Sequence, residues 1–299
     1  MSGWTALVDA EALAERLVGV TDMASDGVPA ALRVVDCRFS LADTSAGETA
    51  WREARLPSAH YAHLDRDLSG PHAPGAGRHP WPQAEVFAAW LGRCGITPET
   101  SVVAYDAGDG ALAARLWWLL RCLGHREVAV LDGGWARWTA LGLPVETGAP
   151  TVSQLPVADA YPLPAGGFDH SRLLDADAVR TRLAAGAQLI DARGAERFSG
   201  EVEPLDCVAG HVPGAVNRPY PENLRDGRFK PAAELAAEFD ALCAGRPSAE
   251  VIAMCGSGVT ACHHLLAMAH AGRDGAALYT GSWSGWIEDP QRPLASGSA

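Results

Sequence analysis

The amino-acid sequence predicts an α/β protein of two tandem domains, each a mainly parallel sheet covered by helices on both faces. Three observations carry that prediction. The chain has 299 residues, which points to two domains of roughly 150 residues rather than one compact core. Four landmarks occur twice in the same order, the signature of an internal duplication. Within each half, short β-branched runs alternate with helical patterns, and strands that alternate with helices build parallel sheets whose two faces are both covered.

Taken in chain order, "VVDCRF" at 34–39 answers "LIDARGAERF" at 189–198. The turn-rich "ARLPSAHYAHLD" at 54–65 then answers "GHVPGAVNRPY" at 210–220. "SVVAYDAGDGALAARLWWLL" answers "EVIAMCGSGVTACHHLLAM", which sets Asp106 opposite Cys255. "VAVLDGGWARWTALGLPVE" answers "AALYTGSWSGWIEDPQRPL". Strands are predicted at "RVVD", "SVVAYD", "VAVLD", "QLID" and "VIAM", where β-branched residues run together. Helices are predicted at "ALAARLWWLLRCLG" and "ELAAEFDALCAG", and from about Thr260 through "ACHHLLAMAHA". The Pro- and Gly-rich stretch "APTVSQLPVADAYPLPAGGF" joins the halves. The expected division is therefore 1–148, a linker at 149–168, and 169–299.

Composition narrows the function. With 48% hydrophobic and 20% charged residues the chain is globular. A net charge of −12, from 24 basic and 36 acidic residues with Lys230 the only lysine, disfavours nucleic acid and anionic membranes as partners. Acidic residues stand where a signal peptide has a basic region, and no apolar run reaches about 18 residues, so a cytosolic protein is expected. The seven cysteines show no CxxC pairs and no zinc-finger spacing, which argues against a disulfide framework and a structural metal. His263 and His264 are adjacent on a predicted helix and cannot share a face as an i, i+4 metal pair does. No metal or other cofactor is expected. Trp117, Trp118, Trp135, Trp138, Trp283 and Trp286 are expected to pack between sheet and helices.

The candidate site centres on Cys255, at the carboxyl end of the "VIAM" strand, where ligands bind in parallel sheets. Gly256 and Gly258 let successive N–H groups turn inward as a nest, and the following helix adds partial positive charge at its N-terminus. Such a loop stabilises a thiolate without a cationic side chain in it. The bland alternative is a buried strand-end cysteine. Cys122 and Cys262 lie inside helical patterns, and Cys37 in "DCRF" has no nest, so all three read as core packing.

The duplication, "VVAYD", "GHVPGA", "GGW" and "GSW", and above all "CGSGVTA", resemble the rhodanese superfamily of sulfurtransferases, over about residues 5 to 294. The resemblance implies an inactive N-terminal rhodanese-like domain, with Asp106 in place of the cysteine, and a catalytic C-terminal one. In the latter, Cys255 would take a sulfur atom from a small donor, hold it as a persulfide and pass it to cyanide, a thiol or thioredoxin. The loop is similar to that of members using 3-mercaptopyruvate, whereas thiosulfate users carry basic side chains just after the cysteine. A dianion favours cations beside the sulfur, while 3-mercaptopyruvate needs a neutral proton relay, for which Ser257 is placed. The resemblance adds His79 and Asp65 from "YAHLDRDLSGPHAPGAGRHPWP" to that relay. Read alone, His79 is equally a loop histidine and Asp65 a turn residue.

For the donor's carboxylate, "DARGAERF" supplies Arg197, which matches the family's principal substrate arginine, and Arg193, whose alternative is a salt bridge to Asp191 or Glu196. Gly256, Gly258, Val259 and Thr260 complete the expected substrate-binding set. One departure stands out: "SGEVEPLDCVAGH" has no arginine where 3-mercaptopyruvate users carry a second one, so Arg193 or a residue of the first half would have to compensate.

Three rival readings are weaker. A cysteine phosphatase needs an arginine six positions after the nucleophile, and Ala261 stands there. The glycines at 108 and 110 lack the further spacing of a nucleotide loop. A sulfur carrier or thiol sensor, or an enzyme that prefers thiosulfate, keeps the same cysteine and differs in turnover.

Overall fold

The computed structural model describes residues 4, 6–22, 32–148 and 160–297. They group into two compact units, one running up to Leu68 and resuming at Pro82–Phe168, the other made of Ser69–Trp81 and the chain from Asp169 on. Residues 69–81, drawn in the first half by the sequence, belong by contact to the second unit, and the first unit extends through the expected linker to Phe168. Residues 149–159 of the expected linker lie outside the described residues. Its far end packs on the first unit, with the Tyr161 N–H donating to the Ala88 carbonyl at 3.0 Å and Phe168 stacked on Phe87.

Each unit holds a five-stranded, all-parallel sheet. In the first the strands lie in the order Leu7–Val8, Val128–Leu131, Ser101–Tyr105, Leu32–Asp36, His60–Tyr61. In the second the order is Leu173–Leu174, Ala277–Tyr279, Val251–Met254, Gln188–Asp191, Ala215–Asn217, which is the same topology repeated. Every residue of the strands Ser101–Tyr105, Val128–Leu131 and Val251–Met254 is buried, because helices cover both faces of the sheet. The edge strands His60–Tyr61 and Ala215–Asn217 fall inside segments that the sequence shows only as turn-rich.

The helix Ala113–Cys122 is buried all round except at Arg121, which explains its unbroken apolar run. Trp117, Trp118, Trp138, Trp283 and Trp286 are among the largest fully buried side chains, packed as expected. In the second unit His263 and His264 sit inside the helix Ala261–His270, and the Asn223 amide donates to the Nδ1 of each, at 3.1 and 2.8 Å. His264 Nε2 then donates to the Arg218 carbonyl at 2.8 Å. Burial first, and the His263 ring second, push His264 down to about 3, so it stays neutral inside the fold. No helix among the described residues is long and apolar enough to cross a membrane.

Candidate active site

The duplication makes each half a control for the other. In the first unit the central strand ends at Asp106, which is 1% exposed. Its Oδ1 accepts the N–H groups of Gly108 and Gly110, both at 3.0 Å, and its Oδ2 those of Leu112 and Ala113, at 2.9 and 3.1 Å. The loop thus wraps a single carboxylate in four backbone donors, with Gly110 at φ 78°. Burial and the Asp109 charge raise the Asp106 carboxyl to about 6 against the pull of those donors, which leaves it ionised at neutral pH. The strand end is clamped from the next segment: Trp135 N–H donates to the Asp106 carbonyl at 2.9 Å and Ala136 N–H to that of Ala107 at 3.0 Å.

The second unit repeats this with sulfur. Trp283 N–H donates to the Cys255 carbonyl at 3.0 Å and Ser284 N–H to that of Gly256 at 2.9 Å. Gly258, at φ 76°, makes the turn that Gly110 makes in the first unit. Cys255 has no carboxylate to fill the ring, and among the described residues the N–H groups of Gly256, Ser257, Val259 and Thr260 find no acceptor. Mostly buried donors without an acceptor favour an anion held by the loop that carries them. Ser282 takes φ 51°, where the first unit has Gly134 at φ 50°. A serine in that left-handed region is held by two bonds, as Ser282 Oγ accepts the Cys255 N–H at 3.1 Å and donates to the Tyr279 carbonyl at 3.0 Å. The repeated "GGW" and "GSW" are therefore braces for the strand end.

Burial alone does not single out Cys255, since Cys37, Cys122 and Cys262 are also 2% exposed or less. The surrounding polar groups do. Burial pushes the Cys37 thiol well above its ordinary range, and the acidic side chains of Asp36, Asp106 and Asp67 push the same way. Cys262 sits in the helix with its thiol donating to the Gly258 carbonyl at 3.4 Å.

Ser257 and His79 meet beside Cys255. The Ser257 hydroxyl and His79 Nδ1 are 2.7 Å apart, with both residues buried. The segment 69–81 delivers His79 because its backbone lies directly on the braces. Gly77 has φ 75°, and a Cβ there would come 2.3 Å from the Gly281 carbonyl oxygen, so only glycine fits. The Arg78 N–H donates to Ser284 Oγ at 3.0 Å. Asp65 belongs to the first unit, where it is exposed on the short helix Leu64–Asp67. The neighbouring Asp67 carboxylate, by contrast, is 7% exposed.

For Arg193 the structure shows the salt bridge to Asp191 that the sequence left open. Its side chain is 1% exposed and spends its donors on the fold: Nε and Nη2 on Asp191, Nη2 on the Gly210 carbonyl at 2.8 Å, Nη1 on Glu203 at 3.4 Å. It also stacks over Trp283 at 4.8 Å. Arg38 does the same in the first unit, pairing with Asp36, the Ala54 carbonyl and the Trp135 ring. The same arrangement in the half without the cysteine makes Arg193 a strut of the fold.

Arg197, on the helix Ala195–Ser199, does reach the loop after Cys255: its Nη1 and Nη2 lie 3.5 Å from where a Cβ on Gly256 would be. Its Nε and Nη2 are paired with Glu203 at 2.8–3.2 Å and Nη2 with Asp206 at 3.1 Å. Burial opposes the Glu203 charge, but Arg197 and the N–H groups of Leu205 and Asp206 hold its carboxyl below the usual range. Arg78, passed over in the sequence, stands 3.2 Å from the same Gly256 position. A separate cleft of about 520 Å³ is lined by Phe198, Asn217, Glu196 and Glu201 among others, and those two carboxylates suit no anionic donor. Among the described residues no cluster of three or more His, Cys, Asp or Glu side chains could hold a metal.

Comparison with known proteins gives the family. The Rhodanese-like domain family matches residues 20–141 and 175–289, once in each half. The chain belongs to the rhodanese family. A "Probable 3-mercaptopyruvate sulfurtransferase" of Pseudomonas aeruginosa is 48% identical over 270 residues, covering 89% of this chain and 93% of the relative. A "Thiosulfate sulfurtransferase" of Gallus gallus is 32% identical over 265 residues, covering 87% of this chain and 88% of the relative. Among solved structures, SseA of Escherichia coli, described as a 3-mercaptopyruvate sulfotransferase, superposes with a TM-score of 0.75 at 32% identity, covering 94% of this chain and all of that one.

Proposed function

We propose that the protein is a sulfurtransferase that takes a sulfur atom from 3-mercaptopyruvate onto Cys255 and hands it to cyanide or a thiol, thioredoxin among the thiol acceptors. The Cys255 thiolate attacks the donor sulfur, a sulfur–sulfur bond forms and the carbon–sulfur bond breaks, leaving the electron pair on pyruvate as its enolate. The proton of the donor thiol moves through Ser257 and His79 to the enolate carbon, and a persulfide anion remains in the ring of loop amides. An acceptor nucleophile then takes the outer sulfur and Cys255 leaves as the thiolate. Arg197 faces the donor's carboxylate.

The observation that carries the choice of donor is the 2.7 Å contact between Ser257 and His79 beside the nucleophile. Sulfur transfer from thiosulfate releases sulfite and moves no proton from a thiol, so that pair has no task there. Thiosulfate remains the second reading because the Arg197 and Arg78 guanidinium groups next to Gly256 also suit an inorganic anion. Steady-state comparison of the two donors with cyanide as acceptor tests the choice: kcat/KM should favour 3-mercaptopyruvate at least about tenfold. A preference for thiosulfate would reverse it, and sulfur uptake without turnover on either donor would make the protein a carrier.

A further inference from the structure

We infer that Arg78 is the second arginine of the donor site and takes the carboxylate of a 2-oxo-acid thiol through two parallel hydrogen bonds. The inference rests on the function proposed above and assigns the contact that the segment 199–211 lacks. Position comes first: Arg78 Nη2 and the Arg197 amino nitrogens lie 3.2 and 3.5 Å from the Cβ position of Gly256, the residue after the nucleophile. Two guanidinium groups therefore face the place where a donor bound at Cys255 must put its far end. Glycine at 256 leaves that space to them.

The donors still uncommitted decide which arginine does the gripping. A carboxylate is held side-on by an arginine's Nε and Nη2 together. In Arg197 that edge is already taken by Glu203 and Asp206. In Arg78 only Nη1 is engaged, with the Asp206 carboxylate. Its Nε is buried and makes no hydrogen bond among the described residues. A buried N–H without an acceptor favours binding one, and with the side chain 30% exposed a carboxylate can reach it from solvent. Asp206, 4% exposed, bridges the two arginines and fixes their relative orientation.

Charge explains why this clamp suits a monoanion. Arg78, Arg193 and Arg197 are formally balanced by Asp191, Glu203 and Asp206, all joined by ion pairs. The cluster thus recognises a carboxylate by the geometry of its free N–H edge more than by net positive charge.

The test compares 3-mercaptopyruvate with mercaptoacetone, which keeps the thiol and ketone and replaces the carboxylate by a methyl group, using cyanide as acceptor. In the Arg78→Gln variant, kcat/KM for 3-mercaptopyruvate should fall roughly ten- to a hundredfold, mostly through KM, while that for mercaptoacetone changes less than about threefold. Arg78→Lys should recover only a small part, because an ammonium offers no two-pronged edge. An unchanged KM in Arg78→Gln, or equal losses on both donors, would overturn the assignment and leave the proposed function standing. Failure of the unaltered protein to turn over 3-mercaptopyruvate would instead remove the function and the assignment with it.

Discussion

Replacing Ser257 by alanine isolates the proton relay from the sulfur chemistry. The change removes one hydroxyl that stands 2.7 Å from His79 Nδ1 and leaves Cys255, its loop amides and both arginines in place. A positioned general acid–base contributes about 10²- to 10⁴-fold, which is about 3 to 5 kcal/mol of barrier. With 3-mercaptopyruvate, pyruvate release and thiocyanate formation should fall together by that factor. With thiosulfate, thiocyanate formation should stay within about threefold, because no thiol proton has to move. His79→Gln should behave alike, and the double variant should be no more than about threefold worse than either single one, since the two residues act as a unit. A buried ring nitrogen loses its partner in Ser257→Ala, at about 1–3 kcal/mol of stability, so thermal unfolding is followed alongside. Equal losses on both donors, or multiplicative effects in the double variant, would reduce the pair to shaping the loop.

Two predictions concern the frame around the site. Asp106→Ala in the first unit leaves the amides of Gly108, Gly110, Leu112 and Ala113 without their carboxylate acceptor. Their hydrogen exchange should accelerate by about two orders of magnitude or more, as expected for the loss of roughly 3 kcal/mol of local stability; unchanged exchange would refute the anion-ring account. His264 is held down to about 3 in the fold, from an ordinary value of 6.5 that the unfolded chain regains. Its stabilising contribution is therefore full above pH 6.5 and is lost as the pH falls toward 3, by about 3 kcal/mol at pH 4.5. Denaturant unfolding at pH 7 and pH 4.5 should show that loss in the natural protein and much less of it in His264→Gln, and parallel losses would contradict the burial argument.

Much of the fold was legible because hydrophobic runs betray strands buried on both faces: "SVVAY" and "VIAM" are such runs, and both end at the residues that matter. The edge strands His60–Tyr61 and Ala215–Asn217 were not, since two or three residues beside prolines and glycines carry no periodicity. Within the site, Cys255 and Ser257 are local to one loop and could be read from its glycines. For Arg193 the sequence left the salt bridge to Asp191 open, and it held the clue that favours it, because Asp36 and Arg38 repeat Asp191 and Arg193 in the half without the cysteine. Arg78 was hidden for another reason: it reaches Gly256 only because Gly77 lets two distant backbones touch, and no local pattern encodes that approach.

The central claim is that Cys255 carries the sulfur atom between donor and acceptor. The most direct measurement is the intact mass of the protein after brief exposure to 3-mercaptopyruvate without acceptor, followed by peptide mapping. The account predicts a gain of one sulfur atom located on the peptide bearing Cys255, removed by cyanide as thiocyanate and absent from Cys255→Ser. A sulfur atom found on Cys207 or another cysteine, or one that persists in Cys255→Ser, would contradict it.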